Sequence, residues 1–158
     1  MKLIVIGASL TGKTTLIKYL RSSSTHPISE MDEELTALNN GQYPTNTKYK
    51  HQVLAPKIIN QVLLNPNIIF FTNTDYFTLN DLQQAKINGF KIVQLNLSLS
   101  ELQKRNENRA KNEGYTDLSQ WLPGMMEYQT KVFNANLVDK VIDASEPTSE
   151  IAQKLLTI

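Results

Sequence analysis

Leu3-Ile4-Val5-Ile6-Gly7-Ala8-Ser9-Leu10-Thr11-Gly12-Lys13-Thr14 decides the reading of this chain. Its first four residues form an apolar, largely β-branched run suited to a strand buried on both faces, and Thr14 to Arg21 carries Leu16, Ile17 and Leu20 at helical spacing. Between strand and helix, Gly7 to Thr14 satisfies G-x-x-x-x-G-K-[ST] at every fixed position, in the context that gives the pattern its meaning. Gly7 and Gly12 let the loop turn back so that successive backbone N–H groups face a concavity, and the N-terminus of the following helix adds partial positive charge. A polyphosphate fits such a cradle. The expected ATP-binding set is therefore Gly7, Ala8, Ser9, Leu10, Thr11, Gly12, Lys13, Thr14 and Thr15, with Lys13 reaching the β and γ oxygens and the Thr14 hydroxyl ligating Mg²⁺.

Outward from this segment, short apolar runs alternate with longer helical patterns, the signature of an α/β domain. Ile28 to Met31 reads as a second strand and Glu33 to Leu38 as a helix closed by Asn39-Asn40-Gly41. Lys48 to Leu64 has helical periodicity, with Pro56 marking a kink or a start. Ile68 to Phe71 is a buried strand, Leu79 to Ile87 a helix, and Lys91 to Leu97 a strand. Ser100 is the expected cap of a helix from Glu101 to about Asn112, and a further helix from about Leu118 to Asn136 is interrupted by Pro123-Gly124. Val141-Ile142 is a last strand, and Thr148 to Leu156 a final helix capped by Thr148 or Ser149. Five strands with intervening helices predict a parallel sheet covered on both faces, right-handed crossovers, and a crevice at the carboxyl ends of the strands.

Composition narrows the chemistry. The 158 residues suit one domain spanning 1–158. Sixteen Lys and Arg against fifteen Asp and Glu leave a net charge of +1, too little for bulk nucleic-acid or anionic membrane binding. Cysteine is absent, which excludes disulfides, thiolate metal sites and Cys nucleophiles and fits a cytoplasmic setting. No apolar run approaches the ~18 residues of a membrane span. His26 and His51 have no partners at zinc-ligand spacing.

In order along the chain, these segments resemble the small phosphate-loop kinases, the group of shikimate, gluconate, nucleoside and nucleoside monophosphate kinases. The resemblance implies a three-layer α/β fold with a five-stranded parallel sheet in the order 2-3-1-4-5, ATP and Mg²⁺ as cofactors, and transfer of the γ-phosphoryl group to a small hydroxylated acceptor. The small-molecule acceptor is the expected partner, in a monomer or homodimer. Glu30-Met31-Asp32 matches the family's acidic element at the end of strand two, with alternation placing Glu30 and Asp32 on one side. Asp32 is then the base or orienting carboxylate and an outer ligand of magnesium; the alternative is that Asp32, Glu33 and Glu34 complement a helix N-terminus. Leu102-Gln103-Lys104-Arg105 with Arg109 looks like the family's helix leading into its lid, so Arg105 and Arg109, four apart, would grip the transferring phosphoryl group together with Lys13. An ordinary solvated helix face is the alternative for the same charges. The lid would lie near 105–124, pivoting at Gly114, Pro123 and Gly124, and the acceptor segment near 30–65. Val141 to Ser145 resembles the loop that edges the adenine ring, or else a plain strand-to-helix turn.

The pattern also departs from that family. No arginine occurs between Arg21 and Arg105, where relatives with anionic acceptors carry them. A neutral hydroxylated acceptor such as a nucleoside fits this departure, held by Glu30, Asp32, Asn73 and Asp75 with stacking from Tyr76 and Phe77. Lys48 or Lys50 keeps an anionic acceptor open. Asp75 has a second reading, as a carboxylate holding magnesium through water. Trp121, Met125, Met126 and Tyr128 read chiefly as an apolar packing face. A nucleotide-binding regulatory protein that hydrolyses ATP slowly or not at all is the competing class.

Overall fold

The computed structural model describes residues 1–158. Its parallel sheet comprises β1 (Lys2–Gly7), β2 (Ile28–Glu30), β3 (Ile68–Thr72), β4 (Lys91–Asn96) and β5 (Lys140–Asp143), in the order β2-β3-β1-β4-β5. That order is the one implied by the resemblance. β1 lies at the centre, with Ile4 beside Phe70 of β3 and Ile92 of β4. It separates two cores because alternate side chains point to opposite faces. Leu3 and Val5 join Leu16, Ile17 and Leu20 of α1 (Lys13–Ser23) and Ile151 and Leu155 of α8 (Thr148–Leu156). Ile4 and Ile6 join the opposite layer, formed by α2 (Met31–Leu38), α4 (Ala55–Leu64), α5 (Leu79–Ile87) and the end of α7 (Leu122–Asn134). Phe70 and Phe71 are fully buried on opposite faces of β3, and burial of such a side chain contributes about 1.5–3 kcal/mol.

The remaining elements are α3 (Thr47–Tyr49), a π-helical turn (Lys50–Leu54) running into α4, and α6 (Leu99–Asn112). The π-helical turn is the local answer to Pro56. Proline has no N–H to donate into the preceding turn, and the Ala55 N–H reaches instead to the carbonyl of Lys50, one residue further back than in an α-helix.

Four boundaries differ from the sequence expectation. β2 stops at Glu30, and Met31 and Asp32 already belong to α2: Met31 is fully buried as the helix's core contact, and Asp32, Glu33 and Glu34 occupy its first turn, where the helix dipole favours acids. The strand-alternation argument for pairing Glu30 with Asp32 therefore fails, although both still face one cleft. Ser98, not Ser100, caps α6, because only Ser98 is three residues before Glu101 and can form the reciprocal capping box. α7 begins at Leu122 with Pro123 in its first turn. α8 is preceded by an extended Pro147 and has no side-chain cap, so neither Thr148 nor Ser149 serves as one.

Asp139 fastens the far edge of the sheet. Its carboxylate accepts from the Ile92 N–H and from Lys86 Nζ, each at 2.8 Å. Burial works against its ionisation, but the Lys86 ammonium and the Ile92 amide outweigh it and hold the carboxyl below its usual range. No helix is long and apolar enough to cross a membrane.

Candidate functional site

The β1–α1 loop places two residues in the left-handed region, Leu10 at φ 72° and Gly12 at φ 88°. Gly12 adopts this without penalty, whereas Leu10 is strained. Arg105 from α6 donates to the Leu10 carbonyl at 2.9 Å and holds the turn in place. Gly7 is needed for a different reason. A Cβ there would lie 2.8 Å from Thr11 Oγ1, which itself donates to the Ala8 carbonyl at 2.8 Å. Close approach, not a positive φ, selects glycine at position 7.

Lys13 Nζ donates to the carbonyls of Gly7 and Ala8 at 2.8 and 2.9 Å, so the ammonium lies across the mouth of the loop. Burial brings its pKa down to about 8, against the opposing pull of the Glu30 and Asp32 carboxylates. α1 begins here with no side-chain acceptor at its first turn.

A cleft of about 710 Å³ opens over this loop, lined by Ser9 to Thr15 except Thr11, by Glu30, Asp32 and Asn73 from the strand ends, and by Arg105 and Arg109 from α6. The structure thus brings together Lys13, Asp32, Arg105 and Arg109. Glu30 is half-buried, and desolvation followed by repulsion from Asp32 raises its carboxyl above the ordinary range. Asp32 Oδ2 accepts from Asn73 Nδ2 at 3.2 Å, and Oδ1 is 3.5 Å from the Tyr43 hydroxyl. Thr14 shares the cleft with three carboxylates, Glu30, Asp32 and Glu113, the last of which lies against Arg109. No group of three or more His, Cys, Asp or Glu is assembled anywhere. This donor set fits a hard cation that keeps water and phosphate oxygens as its other ligands, as magnesium does.

Arg109 lies 3.8 Å from Glu113 and over the Tyr115 ring at 3.9 Å from its centroid. The segment after α6 is held by Asn106, whose Nδ2 donates to Asp117 at 2.6 Å and whose Oδ1 accepts from the Leu118 N–H at 2.8 Å. Asn106 was invisible to the sequence reading. Its signal was a polar residue four positions after Leu102 on the buried stripe of the helix.

A second cleft of about 380 Å³ adjoins the first, with Ser9 and Asn73 lining both. Asp75 lines only the second, which separates it from Thr14 and does not favour its reading as a magnesium carboxylate. Its backbone is left-handed at φ 73°, and burial raises its carboxyl despite the nearby His51 and Lys50. Tyr76 faces this cleft and His51 stacks on its ring at 4.9 Å. Phe77 does not stack on any ligand surface: it is fully buried against Phe70. Trp121 is 48% exposed and lines the cleft, so it is not part of the packing face on which Met125 and Met126 sit. Tyr43, Lys50 and His51 as a cluster were missed, because three residues from two irregular segments carry no periodic signal.

No family model matches the sequence, and no curated protein matches it closely enough to count as a relative. Solved structures do match. Shikimate kinase from Aquifex aeolicus is 16% identical with a TM-score of 0.74, covering 99% of this chain and 95% of that one. Shikimate kinase from Acinetobacter baumannii in complex with shikimate is 14% identical, also with a TM-score of 0.74, over 98% and 90% of the two chains. A gluconokinase from Sinorhizobium meliloti is 16% identical with a TM-score of 0.60, over 99% and 89%. With its strand order, its phosphate cradle and this full-length superposition, the chain has the fold of the small phosphate-loop kinases.

Proposed function

We propose that the protein is a magnesium-dependent phosphotransferase that moves the γ-phosphoryl group of ATP to a hydroxyl of a small acceptor. The observation that carries this reading is the adjacency of the two clefts: a polyphosphate cradle and a smaller polar cleft meet at Ser9 and Asn73, with Asp32 at the junction. Bound in the second cleft, the acceptor directs its hydroxyl at Asp32. The acceptor oxygen bonds to the γ-phosphorus as the bond to the β–γ bridging oxygen breaks, the proton passes to the Asp32 carboxylate, and ADP leaves with the bridging oxygen. Lys13, Arg105 and Arg109 offset the charge spread over the transferring oxygens. Magnesium, held by Thr14 and through water by Asp32, would neutralise the β and γ oxygens. The segment from 105 to 124 acts as the lid, with Asn106 as its anchor.

The acceptor chemistry has two supports. Asn73 and Asp75 suit hydroxyls of a neutral acceptor such as a nucleoside, and Lys50 in the second cleft suits an anionic one. Acceptor-dependent ADP release, measured across nucleosides, nucleoside monophosphates and small hydroxylated metabolites, tests the reading. Stimulated turnover that is lost in Asp32→Asn supports it. ATP binding without any acceptor-stimulated turnover would instead identify a nucleotide-binding regulatory protein.

A further inference from the structure

Resting on the phosphotransferase reading, we propose that Lys50 is the anion-binding group of the acceptor cleft, and that the acceptor is a compact hydroxylated molecule bearing a carboxylate or a phosphate monoester. Lys50 is the only lysine or arginine lining the second cleft. None of the six ion pairs of the molecule involves it. Its ammonium is caged instead by aromatic rings, 5.1 Å from the Tyr43 centroid and 5.9 Å from that of Tyr76. Such rings hold a cation in place without neutralising it. One of its three donors reaches the Tyr43 hydroxyl at 3.3 Å, which leaves two for a ligand.

The Tyr43 hydroxyl is the hub of this wall. It has two acceptor positions and one proton. Lys50 donates to it at 3.3 Å, Tyr76 shares a hydrogen bond with it at 3.2 Å in which either hydroxyl can donate, and Asp32 Oδ1 lies 3.5 Å away. Lys50 is therefore a single tyrosine hydroxyl removed from the carboxylate that receives the acceptor's hydroxyl. The two groups lie close enough, through that hydroxyl, for one small molecule to place its anion on Lys50 and its hydroxyl on Asp32. Asp75 lines the same cleft but forms no ion pair with Lys50, and burial raises its carboxyl above the ordinary range against the pull of His51 and Lys50. The π-helical turn supplies the placement. Lys50 and His51 begin it and line one cleft, and such wide turns within helices recur at functional sites.

This also explains the missing arginines. One caged lysine offers a point charge where a planar fork would offer bidentate recognition.

The test uses matched pairs that differ only in the anionic group: an aldose and its aldonic acid, a cyclic diol and its carboxylic acid, a nucleoside and its 5′-monophosphate. The wild-type protein should favour the anionic member by at least tenfold in kcat/KM in either the carboxylate or the phosphate pairs, which identifies the group. In Lys50→Met that preference should fall to threefold or less through KM for the anionic member, while the KM for ATP stays within threefold. Lys50→Arg should retain most of the preference. Wild-type preference for the neutral members, or an equal loss for both members in Lys50→Met, would overturn the proposal while leaving the phosphotransferase intact. No acceptor-dependent ADP release from any pair would overturn the phosphotransferase reading and this proposal with it.

Discussion

The phosphate cradle occupies eight consecutive residues, Gly7 to Thr14, and works mainly through backbone groups and one lysine. The second cleft draws Lys50 and His51 from the π-helical turn, Asn73 to Tyr76 from beyond β3, and Gln120, Trp121, Gly124 and Met125 from around the start of α7, and presents mainly side chains. A backbone device needs a fixed local geometry and tolerates few changes of residue type. A side-chain device can be rebuilt one residue at a time on the same frame. The cradle therefore reports what the protein binds in common with many others, and the second cleft reports what is particular to it.

The sharpest way to break this contrast is to disable one region and measure the other. Lys13→Ala should lower kcat/KM by at least about 10³ and abolish nucleotide binding, because the cradle loses its only ammonium. Asp32→Asn should lower kcat by about 10²–10³ while ATP affinity, measured by calorimetry, stays near that of the wild type. Equal loss of nucleotide binding in both variants would mean that the regions are one unit.

A smaller effect comes from pH. The buried Lys13 loses its proton near pH 8 in the free protein, and contact with phosphate favours its charged form. Nucleotide affinity should then be constant below that pH and fall above it, by about tenfold between pH 7 and pH 9. The smallest effect should come from Gly12→Ala, where no atom lies within 4 Å of an added Cβ but φ is +88°. The cost is conformational, about 1–2 kcal/mol, and a thermal melt should show it as a fall of several degrees.

The same contrast governs what could be read from the sequence. All five strands and the cradle were legible because each is local: β1 is a buried apolar run, and the G-x-x-x-x-G-K-[ST] spacing needs no distant partner. The β2–α2 boundary was not, because Met31 is equally at home in a strand or in a helix, and only its packing against the second core decides. Asp32, Arg105 and Arg109 reached the site through the family resemblance, since a carboxylate on a helix and two arginines on another carry no mark of meeting. Arg105 contacts Leu10 across 95 positions, and no periodicity reports such a pair. Lys50 was seen as a charge but not as a cage, because Tyr43 and Tyr76 lie 33 positions apart and meet only in three dimensions.

The bare start of α1 has a consequence for how the molecule is held together. α5 and α6 complete their first turns with reciprocal side-chain bonds from Thr78 and Asp81 and from Ser98 and Glu101, whereas α1 has none. The amides of Lys13, Thr14 and Thr15 precede the first bond of that helix, from the Leu16 N–H to the Gly12 carbonyl. A polyphosphate laid over them would be the missing cap, so that nucleotide occupancy and the integrity of the central strand–helix unit would become one equilibrium. At a hundredfold excess over Kd the ligand would add about 2.7 kcal/mol to the folding free energy. Amide exchange at the head of α1 would then serve as a gauge of nucleotide level, with the protein at its most robust when nucleotide is abundant.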